Sequence, residues 1–389
     1  MKKLLVLNGS HSDIPLIRAA RALGYHVTTT GNDASLIGHR ESHDYYPADF
    51  SDKEAMLALA QHLRIDAVCA CANDFGALTA AYVAEQMGLP GHDPYETALT
   101  LHHKDRYRQF AQQHGIPSPV AHCYTQIDEA LACTLDFPVI VKPVDLTGGK
   151  GITRVERAAD FESAVRHAFS LSRQRRIVVE QFIRGSYHSF TTFLRDGHVI
   201  FHFSDDEQSY KNPFLITTSA GPATNIDAVR EPLIAAAETI AAQLKLVDGI
   251  FHIQYILRGE EAFIIEITRR CSGDLYPYPV KRATGVDWAQ WIVRAEAGED
   301  CRDFPEATQR GFVGRHCIMA ARDGVVRDVR IAPELESNIF DRLVWWQPGD
   351  VIRDSLVQKL GVLMLAYENE REMRDKTSRI TNLVDVVLV

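Results

Sequence analysis

The chain has 389 residues, of which 46% are hydrophobic and 24% are charged, and its formal net charge at pH 7 is −9. This composition is ordinary for a folded protein with a sizeable core, and the length predicts two or three domains. An acidic chain lacks the basic face that general nucleic-acid binding requires, and no apolar run approaches the ~20 residues that cross a membrane. We therefore expect neither a nucleic-acid partner nor a membrane partner.

The N-terminus and the cysteines both indicate a cytoplasmic protein. Two lysines are followed by only four apolar residues before the polar segment 8–13, which is too short a run for a secretory signal. The seven cysteines are odd in number, and none of them forms a Cys-x-x-Cys pair. This pattern favours a reduced chain over a disulfide framework or a zinc site.

The first hundred residues alternate short apolar strands with amphipathic helices. Strands are predicted at 4–7, 26–30 and 67–71, and helices at 14–23, 52–63 and 75–87. This alternation predicts a doubly wound parallel sheet, whose ligands lie at the carboxyl ends of the strands. The loops there are 8–11, 31–33 and 72–74, and they contain no Gly-x-Gly-x-x-Gly. A dinucleotide site is therefore not indicated, and plain turns remain the alternative.

Pro90 to Pro94 interrupts this pattern and marks a boundary. Beyond it we predict a helix over 97–114, strands at 139–142 and 177–180, helices at 160–171 and near 229–245, strands near 189–203 and a hairpin over 251–270. The character changes near 305, after which 312–319 and 383–389 are predicted strands and 352–360 is weakly periodic. The predicted domains are 1–98, 99–304 with a small lobe at about 118–185, and 305–389.

The hairpin 251–270 contains two polar interruptions in apolar strands. Gln254 interrupts the first strand and Glu266 the second. A carboxylate among isoleucines is costly unless a cation receives it, and magnesium prefers oxygen ligands of this kind. Arg270, just beyond the strand, would contact a phosphate oxygen. The alternative is a hairpin with one buried salt bridge, from Glu266 to Arg269 or Arg270.

A glycine-rich loop follows a strand that ends in Lys142. The segment 145–151 includes Gly148, Gly149 and Lys150. Glycines let backbone amides fold around phosphate oxygens, and a lysine adds a positive charge. The Walker pattern is absent, so this is not that phosphate loop, and a flexible turn is the alternative.

The strand that ends at Glu180 runs into a short connector through Ile183. Such a connector can present backbone donors and acceptors to the edge of an adenine ring. His188, eight residues after Glu180, is placed to reach a ribose hydroxyl. Taken alone, a histidine of this kind is more often a surface residue or a satisfied core residue.

The order of these elements resembles the ATP-grasp superfamily over roughly residues 3–300. Members hold ATP between two lobes and activate a carboxylate as an acyl phosphate, which an amine usually attacks. The resemblance implies an α/β and α+β fold: an N-terminal doubly wound parallel sheet (the pre-ATP-grasp domain), a two-lobed ATP-grasp domain and a small β-rich C-terminal domain.

Within the superfamily the chain looks most similar to the large chain of carbamoyl-phosphate synthetase and to biotin carboxylase. His-Ile-Gln-Tyr at 252–255 and Ile-Glu-Ile-Thr-Arg-Arg at 265–270 resemble Asn-Val-Gln-Phe and Ile-Glu-Met-Asn-Pro-Arg of the former. Lys-Arg-Ala-Thr-Gly at 281–285 resembles its Lys-Ala-Thr-Gly. Thr268 replaces the Asn of the second magnesium site, which implies a weaker site there.

The resemblance implies a role for each matching residue. Gln254, Glu266 and Thr268 become metal ligands; Lys104, Lys142, Gly148 and Gly149 contact phosphates; Glu180, Gln181, Phe182 and Ile183 form the adenine hinge; His188 contacts ribose; and Arg270 and Lys150 neutralise charge during catalysis. The implied cofactors are ATP and magnesium, with manganese as a possible substitute.

The C-terminal segment adds a looser resemblance. Residues 348–351 and 360–364 look like the third domain of stand-alone amino-acid ligases. We interpret the chain as an ATP- and magnesium-dependent carboxylate–amine ligase acting on small molecules, and a homodimer is compatible with this organisation. A bicarbonate-activating carboxylase-type enzyme and a non-catalytic nucleotide-binding regulatory protein remain alternatives. Tyr276 and Tyr278 either line the acceptor pocket or are structural, and the carboxylate is expected near Arg270 and 219–222.

Overall fold

A computed structural model describes residues 1–146 and 149–389. These residues form four β-sheets and the helices that cover them. The predicted Gly148 lies outside the described residues. No helix in the described ranges combines the length and apolarity that crossing a membrane requires.

The N-terminal segment forms a four-stranded parallel sheet, as predicted. Its elements are β1 (Lys3–Leu7), a 3-10 turn (His11–Asp13), α1 (Ile14–Ala22), β2 (His26–Gly31), a second 3-10 helix (Ile37–Glu41), β3 (Asp44–Pro47), α2 (Lys53–Leu63), β4 (Ala67–Cys69) and α3 (Asp74–Met87). The strand order is β3-β2-β1-β4, with every pair parallel. The sequence did not predict β3, because this exposed edge strand reads Asp-Tyr-Tyr-Pro and has no apolar run.

Helices cover both faces of this sheet, which confirms the doubly wound prediction. Leu4 and Val6 pack in one hydrophobic cluster with α1, whereas Leu5 and Leu7 pack in another with α2 and α3. Successive side chains of a strand point to opposite faces, so an all-apolar strand such as β1 is buried on both sides.

The single helix predicted over 97–114 is wrong, because the structure contains two helices there. They are α4 (Tyr95–His102) and α5 (Lys104–Gln113), and His103 between them is extended, with φ −88° and ψ 121°. The break turns the chain, so that the first residue of α5, Lys104, points its ammonium group toward the carbonyl of Leu146, 3.0 Å away.

The small lobe is a four-stranded antiparallel sheet with one covered face. Its elements are β5 (Ala121–Tyr124), α6 (Ile127–Leu131), β6 (Val139–Pro143), β7 (Thr153–Val155), α7 (Ala158–Leu171) and β8 (Ile177–Gln181). The strand order is β5-β8-β6-β7. Phe161, Val165 and Phe169 of α7 pack on Val141 and Val179, which forms the core of the lobe. The predicted strands at 139–142 and 177–180 and the predicted helix at 160–171 are confirmed.

The remaining chain builds an eight-stranded antiparallel sheet and a three-stranded sheet. The elements are β9 (Ser186–Arg195), β10 (His198–Gln208), β11 (Thr218–Gly221), α8 (Ile226–Leu244), β12 (Gly249–Arg258), β13 (Glu261–Thr268), α9 (Pro277–Thr284), α10 (Trp288–Glu296), β14 (Phe312–Ile318), β15 (Gly324–Ile331), α11 (Pro333–Glu336), β16 (Ile339–Val344), β17 (Val351–Ile352), β18 (Gly361–Tyr367), α12 (Glu370–Ser378), α13 (Ile380–Leu383) and β19 (Val384–Leu388). The orders are β13-β12-β9-β10-β11-β14-β18-β16 and β17-β15-β19.

The predicted hairpin is confirmed as β12 and β13, and the predicted terminal strands as β14 and β19. The large sheet continues across position 304/305, because β14 pairs with β11. Residues 353–360 are neither helix nor strand, despite their weak periodicity.

The two faces of the large sheet differ in what covers them. On one face Phe251, Ile253 and Tyr255 pack with α5 and α8. On the other face Phe203 and Ile250 pack with α1, α9 and α10. Only part of this second face is covered by apolar side chains, and the strands continue beyond it into a cavity.

Candidate active site

A cavity of about 420 Å³ lies over the uncovered part of the large sheet. Its walls come from the small lobe, from α5 and from loops at the carboxyl ends of β1 and β4. Eleven predicted site residues line it: Lys104, Lys142, Gly149, Glu180, Gln181, Phe182, Ile183, Gln254, Glu266, Thr268 and Arg270. Residues spread over 167 positions of sequence thus meet in one place, although their individual roles stay predictions.

The floor of the cavity forms where strand side chains change from apolar to polar along one face. In β12 the series is Ile250, His252, Gln254 and Ile256, of which the first packs in a hydrophobic core and the last three line the cavity. Because alternate residues share a face, the same strand serves the core at one end and the cavity at the other.

Gln254 and Glu266 lie opposite each other in the β12–β13 ladder. Glu266 lies 3.5 Å from the ammonium of Lys104, whereas Arg269 and Arg270 pair with Asp93 and Asp74, so the alternative of a salt bridge from Glu266 to either arginine is wrong. Thr268, two residues further on and 3% exposed, has a hydroxyl with no hydrogen-bond partner among the described residues.

These side chains fit a magnesium ion. Amide, carboxylate and hydroxyl oxygens are the donors this ion prefers, and an unpaired buried hydroxyl is accounted for if a ligand receives it. In the described ranges no three His, Cys, Asp or Glu side chains converge on a metal position. A magnesium site does not need such a cluster, because it usually relies on one or two carboxylates plus substrate phosphates.

The carboxylate of Glu180 is held between two cations beneath the predicted adenine hinge. Lys142 Nζ lies 2.5 Å from one carboxylate oxygen, and Arg108 Nε donates to the other at 3.0 Å. Burial alone would raise the pKa of Glu180, but Arg108 and Lys142 outweigh it and lower the pKa below its ordinary value. Burial lowers the pKa of Lys142 to about 8, although Glu180 opposes that shift.

The connector after β8 leaves a backbone donor for a ligand. The amides of Gln181 and Phe182 donate to the carbonyls of Val120 and Pro138, whereas the amide of Ile183 has no partner among the described residues. Glu180 itself is occupied by its two cations, so an adenine would be recognised here through backbone groups.

Arg270 lies in the cavity wall beside a carboxylate from the N-terminal sheet. Its Nε donates to Asp74 at 2.8 Å. Burial opposes ionisation of Asp74, but the charge of Arg270 dominates and holds its pKa well below the usual range. Arg269 points elsewhere, pairing with Asp93 at 2.8 Å. Asp74 is the last residue of the predicted 72–74 loop, which therefore contributes to the cavity lining.

Two predicted residues lie outside the cavity lining. Lys150 is exposed, while its neighbour Gly149 lines the cavity with φ +75° against the backbone of Phe214. His188 is 1% exposed, and its ring nitrogens contact Ser186 at 2.6 Å and Asp206 at 2.7 Å. The structure thus places His188 as a satisfied buried histidine and Tyr187, its neighbour, in the lining.

Among the lining residues to which sequence reasoning gave no role are His11, Glu207, Asp274, Arg315 and Lys359. Four of them form one cluster around Asp274, which contacts Lys359 Nζ at 2.7 Å, Arg315 at 3.0 Å and His11 at 3.2 Å. Burial opposes ionisation of Asp274, but Lys359 and its other partners hold the pKa well below the ordinary value. The partners come from the first 3-10 turn, from β14 and from the segment before β18, so no sequence pattern links them.

The sequence pattern of β10 does carry a signal for Glu207. It alternates with Phe201, Phe203 and Asp205 on one face of β10, so a carboxylate follows apolar positions as Glu266 does in β13. Burial, and then the charge of Asp205, raises the pKa of Glu207 to about 8.

The tyrosines after β13 differ in role. Tyr276 is 1% exposed, and its hydroxyl contacts Ser189 and Thr191 below the cavity floor, which makes it structural. Tyr278 is half-buried and accepts a hydrogen bond from Arg18 at 3.3 Å. Neither lines the cavity. The predicted 219–222 turn is largely β11, a strand of the large sheet.

The chain is similar to known proteins in sequence and in fold. A curated relative, the formate-dependent phosphoribosylglycinamide formyltransferase of Rhodococcus jostii (strain RHA1), is 25% identical over 282 residues, which cover 69% of this chain and 68% of that protein. The matched segments of other curated relatives span between 18% and 47% of their length.

Two solved structures share the fold over essentially the whole chain. The L-amino acid ligase from Bacillus licheniformis superposes with a TM-score of 0.85 at 21% identity and covers 100% of this chain and 99% of its own. The biotin carboxylase domain dimer of Hydrogenobacter thermophilus 2-oxoglutarate carboxylase, in complex with MgADP and bicarbonate, has a TM-score of 0.78 at 18% identity, covering 99% and 90%.

The family match falls on the part of the chain that carries the cavity floor and the small lobe. Residues 103–303, just over half of the chain, match the family described as carbamoyl-phosphate synthase L chain, ATP binding domain. The chain therefore belongs to this family of ATP-binding domains, within the ATP-grasp superfamily.

Proposed function

We propose that the chain is an ATP- and magnesium-dependent, ADP-forming ligase that joins a small-molecule carboxylate to an amine. The observation that carries the proposal is the convergence of Lys104, Lys142, Gln254, Glu266 and Arg270 on one cavity. Phosphoryl transfer from ATP depends on positioning and electrostatics. The two lysines and the arginine supply positive charge for the phosphates, and Gln254 and Glu266 supply oxygen ligands for the metal.

The proposed reaction has two steps. An oxygen of the substrate carboxylate attacks the γ-phosphorus, the bond to the β-phosphate oxygen breaks, and ADP leaves. The amine nitrogen then attacks the carbonyl carbon of the acyl phosphate, inorganic phosphate leaves, and the amine loses a proton. The relatives include a formate-dependent formyltransferase and an L-amino acid ligase, which supports a carboxylate and an amine as the two substrates.

Each group of residues has a distinct task in this proposal. Lys104, Lys142 and Arg270 neutralise phosphate charge, and the connector from Glu180 to Ile183 receives the adenine. Gln254, Glu266 and Thr268 hold the metal, which supplies charge screening on the phosphates when bound. The segment at Gly149 and Lys150 is proposed to exclude water, because an acyl phosphate hydrolyses unless the site is closed.

The cluster of Arg315, Lys359 and His11 around Asp274 is a suitable place for the substrate carboxylate to bind. Arg315 is 5% exposed, and its Nε has no hydrogen-bond partner among the described residues. The hydroxyl of Ser272, 7% exposed, is likewise unpaired within the same residues. Buried donors without partners are costly, so an anionic substrate group that accepts from them would be bound there.

The proposal is tested by measuring ADP and phosphate release with Mg-ATP. The panel contains formate, amino acids and other carboxylates, each with and without amines, and bicarbonate alone. Turnover that requires one carboxylate and one amine is the expected result and identifies both substrates. Turnover with bicarbonate alone overturns the amine step in favour of a carboxylating enzyme. ATP binding with no turnover on any pair overturns the proposal in favour of a nucleotide-binding regulatory protein.

A further inference from the structure

Two buried carboxylates on the cavity side of β10 lack a cationic partner. Asp205 is 2% exposed and Glu207 is 9% exposed, and they share the face that continues from Phe203. Among the described residues no lysine, arginine or histidine nitrogen lies within ion-pair distance of either carboxylate. Glu180, Asp74 and Asp274, the other buried carboxylates around the cavity, each have at least one. Buried carboxylates are normally paired with a cation or bound to a metal, so the lack of a cationic partner at Glu207 requires an explanation.

Glu207 contacts a proposed metal ligand directly. Gln254 Nε2 donates to Glu207 Oε2 at 2.5 Å, across 47 positions of sequence. An ionised carboxylate accepts hydrogen bonds only, so with Glu207 ionised, as cation binding requires, this contact fixes which end of the Gln254 amide faces Glu207. The amide oxygen of Gln254 therefore points away from Glu207, and it has no donor among the described residues.

The sheet register places these groups side by side. Asp205, Ser189, Gln254 and Glu266 are successive partners across β10, β9, β12 and β13. Asp205 itself is bonded to the hydroxyls of Ser189 and Tyr276 and does not line the cavity. Glu207 is thus the carboxylate of β10 that lines the cavity. It lies beside the side chain of Gln254, which is the ladder partner of Glu266.

At the β13 end of this series of ladder partners, beyond Glu266, lies an unpaired hydroxyl. Thr268 lies on the same face of β13 as Glu266, and its Oγ has no partner in the described part of the chain. A cation at this place would therefore meet oxygen atoms from β13 and β12, with Glu207 behind the Gln254 amide.

We propose that Glu207 belongs to the divalent-cation site, where it orients the Gln254 amide and adds a second carboxylate charge beside Glu266. This inference rests on the proposed function, because that function supplies the cation. The inference gives β10 a role in metal affinity. The charge of Glu207 would offset the weaker metal binding that is expected because Thr268 replaces an asparagine ligand. Glu207 is a positioning residue in this assignment, since it acts through Gln254 and through charge.

The test measures Mn²⁺ affinity by the EPR signal of free Mn²⁺, titrated into the full chain with a non-hydrolysable ATP analogue. Glu207→Gln keeps an acceptor for the Gln254 amide but removes the charge, and Glu207→Leu removes both. We expect about tenfold weaker Mn²⁺ binding for Glu207→Gln and a larger loss for Glu207→Leu, as for residues that support metal ligands. Affinity for the analogue without metal should change less than twofold.

Glu296→Gln is the matched control, because Glu296 is a buried glutamate (4% exposed) that lies outside this cavity. Its Mn²⁺ affinity should equal that of the wild type. The thermal midpoint of metal-free Glu207→Gln should not fall, since the carboxyl group of Glu207 has no cationic partner to lose. A fall in that midpoint with unchanged Mn²⁺ affinity would show a structural role and overturn the inference.

Mn²⁺ affinity of Glu207→Gln within twofold of the wild type also overturns the inference, even if Glu207→Leu fails to fold. The proposed function is judged separately, by ADP release from the wild type. Wild-type turnover with normal Mn²⁺ binding by Glu207→Gln removes Glu207 from the metal site and leaves the ligase intact. A wild-type chain that binds neither Mn²⁺ nor the analogue contradicts both.

Discussion

Gln254 of β12 and Glu266 of β13 are direct partners in the antiparallel ladder, and the register shifts immediately after Gln254. The shift is a β-bulge, which re-aims side chains and is common beside active sites. Both residues interrupt apolar strands, yet their pairing across the ladder places an amide and a carboxylate together on the cavity floor. The pairing supports a common ligand for both side chains, rather than two unrelated polar substitutions.

Glu266→Gln should abolish most activity without unfolding the chain. The change keeps the size of the side chain but removes the negative charge that a metal would need, so turnover should fall at least about a hundredfold. ADP release with the identified substrates measures the effect, and circular dichroism reports the fold. Glu261→Gln, on the exposed start of the same strand, is the control and should keep full activity. Full activity of Glu266→Gln would remove the metal assignment.

Nucleotide affinity should decrease as the pH rises through about 8. Lys142 has its pKa lowered to about 8 by burial, so it is charged below that pH and increasingly neutral above it. A neutral amine no longer attracts phosphate oxygens, and the Kd for ATP should increase between pH 7 and pH 9, both values being about one pH unit from this pKa. Isothermal titration calorimetry across this range measures the change.

Lys142→Arg is the control for that pH profile, because an arginine remains charged throughout the range. Its Kd at neutral pH will differ, since the guanidinium is larger, but the rise above pH 8 should disappear. A wild-type Kd that is constant across the range, or an unchanged slope in the variant, would show that Lys142 does not contact the phosphates.

Much of the fold was predictable because its signals are local. The apolar strand at β1 and the polar-turn hairpin at 251–270 are each contained within a short stretch of sequence. The order Lys104, Lys142, Glu180, Gln254, Glu266 could be recognised along the chain, and the structure does bring these residues together. The division at His103 was not predictable, since the extended residue lies inside a helical pattern that tertiary contacts override.

The rest of the cavity depends on contacts between distant segments. His11 and Asp274 are 263 positions apart, and Lys359 reaches the same carboxylate from the C-terminal segment. Neither residue carries a pattern that selects its partner, because side-chain pairing of this kind follows from the docking of whole domains. His188 shows the converse: a position that suits a ribose contact in the sequence turns inward and bonds to Asp206.

Asp274→Asn should destabilise the chain strongly. Its carboxylate neutralises Lys359 and Arg315, which are both largely buried, so removing the charge leaves two buried cations without a partner. Loss of one member of a buried charge cluster typically costs about 3–5 kcal/mol. Urea unfolding followed by circular dichroism measures the change, and Glu334→Gln, which breaks an exposed pair with Arg379, should produce little effect. Equal stability of Asp274→Asn and the wild type would show that the cluster is unimportant for folding.

Stability should also fall as the pH rises through about 7, because of Glu296 at the junction of α10 with β4. One carboxylate oxygen accepts the amide of Ala70 at 2.7 Å, and the other has no partner among the described residues. Burial raises its pKa from 4.5 to about 7. The folded state therefore binds a proton more tightly than the unfolded state, which stabilises the fold below pH 4.5 and is lost above pH 7.

The size of that effect follows from the difference between the two pKa values of Glu296, 4.5 and about 7. At 1.36 kcal/mol per pH unit, this difference corresponds to about 3 kcal/mol of stability. Glu296→Gln keeps the acceptor for Ala70 but cannot ionise. Its free energy of unfolding should exceed that of the wild type at pH 8 and converge with it near pH 5. Thermal or urea unfolding at the two pH values gives the comparison. A difference between the two proteins that is the same at both values would contradict titration of Glu296, because a change in packing alone carries no pH dependence.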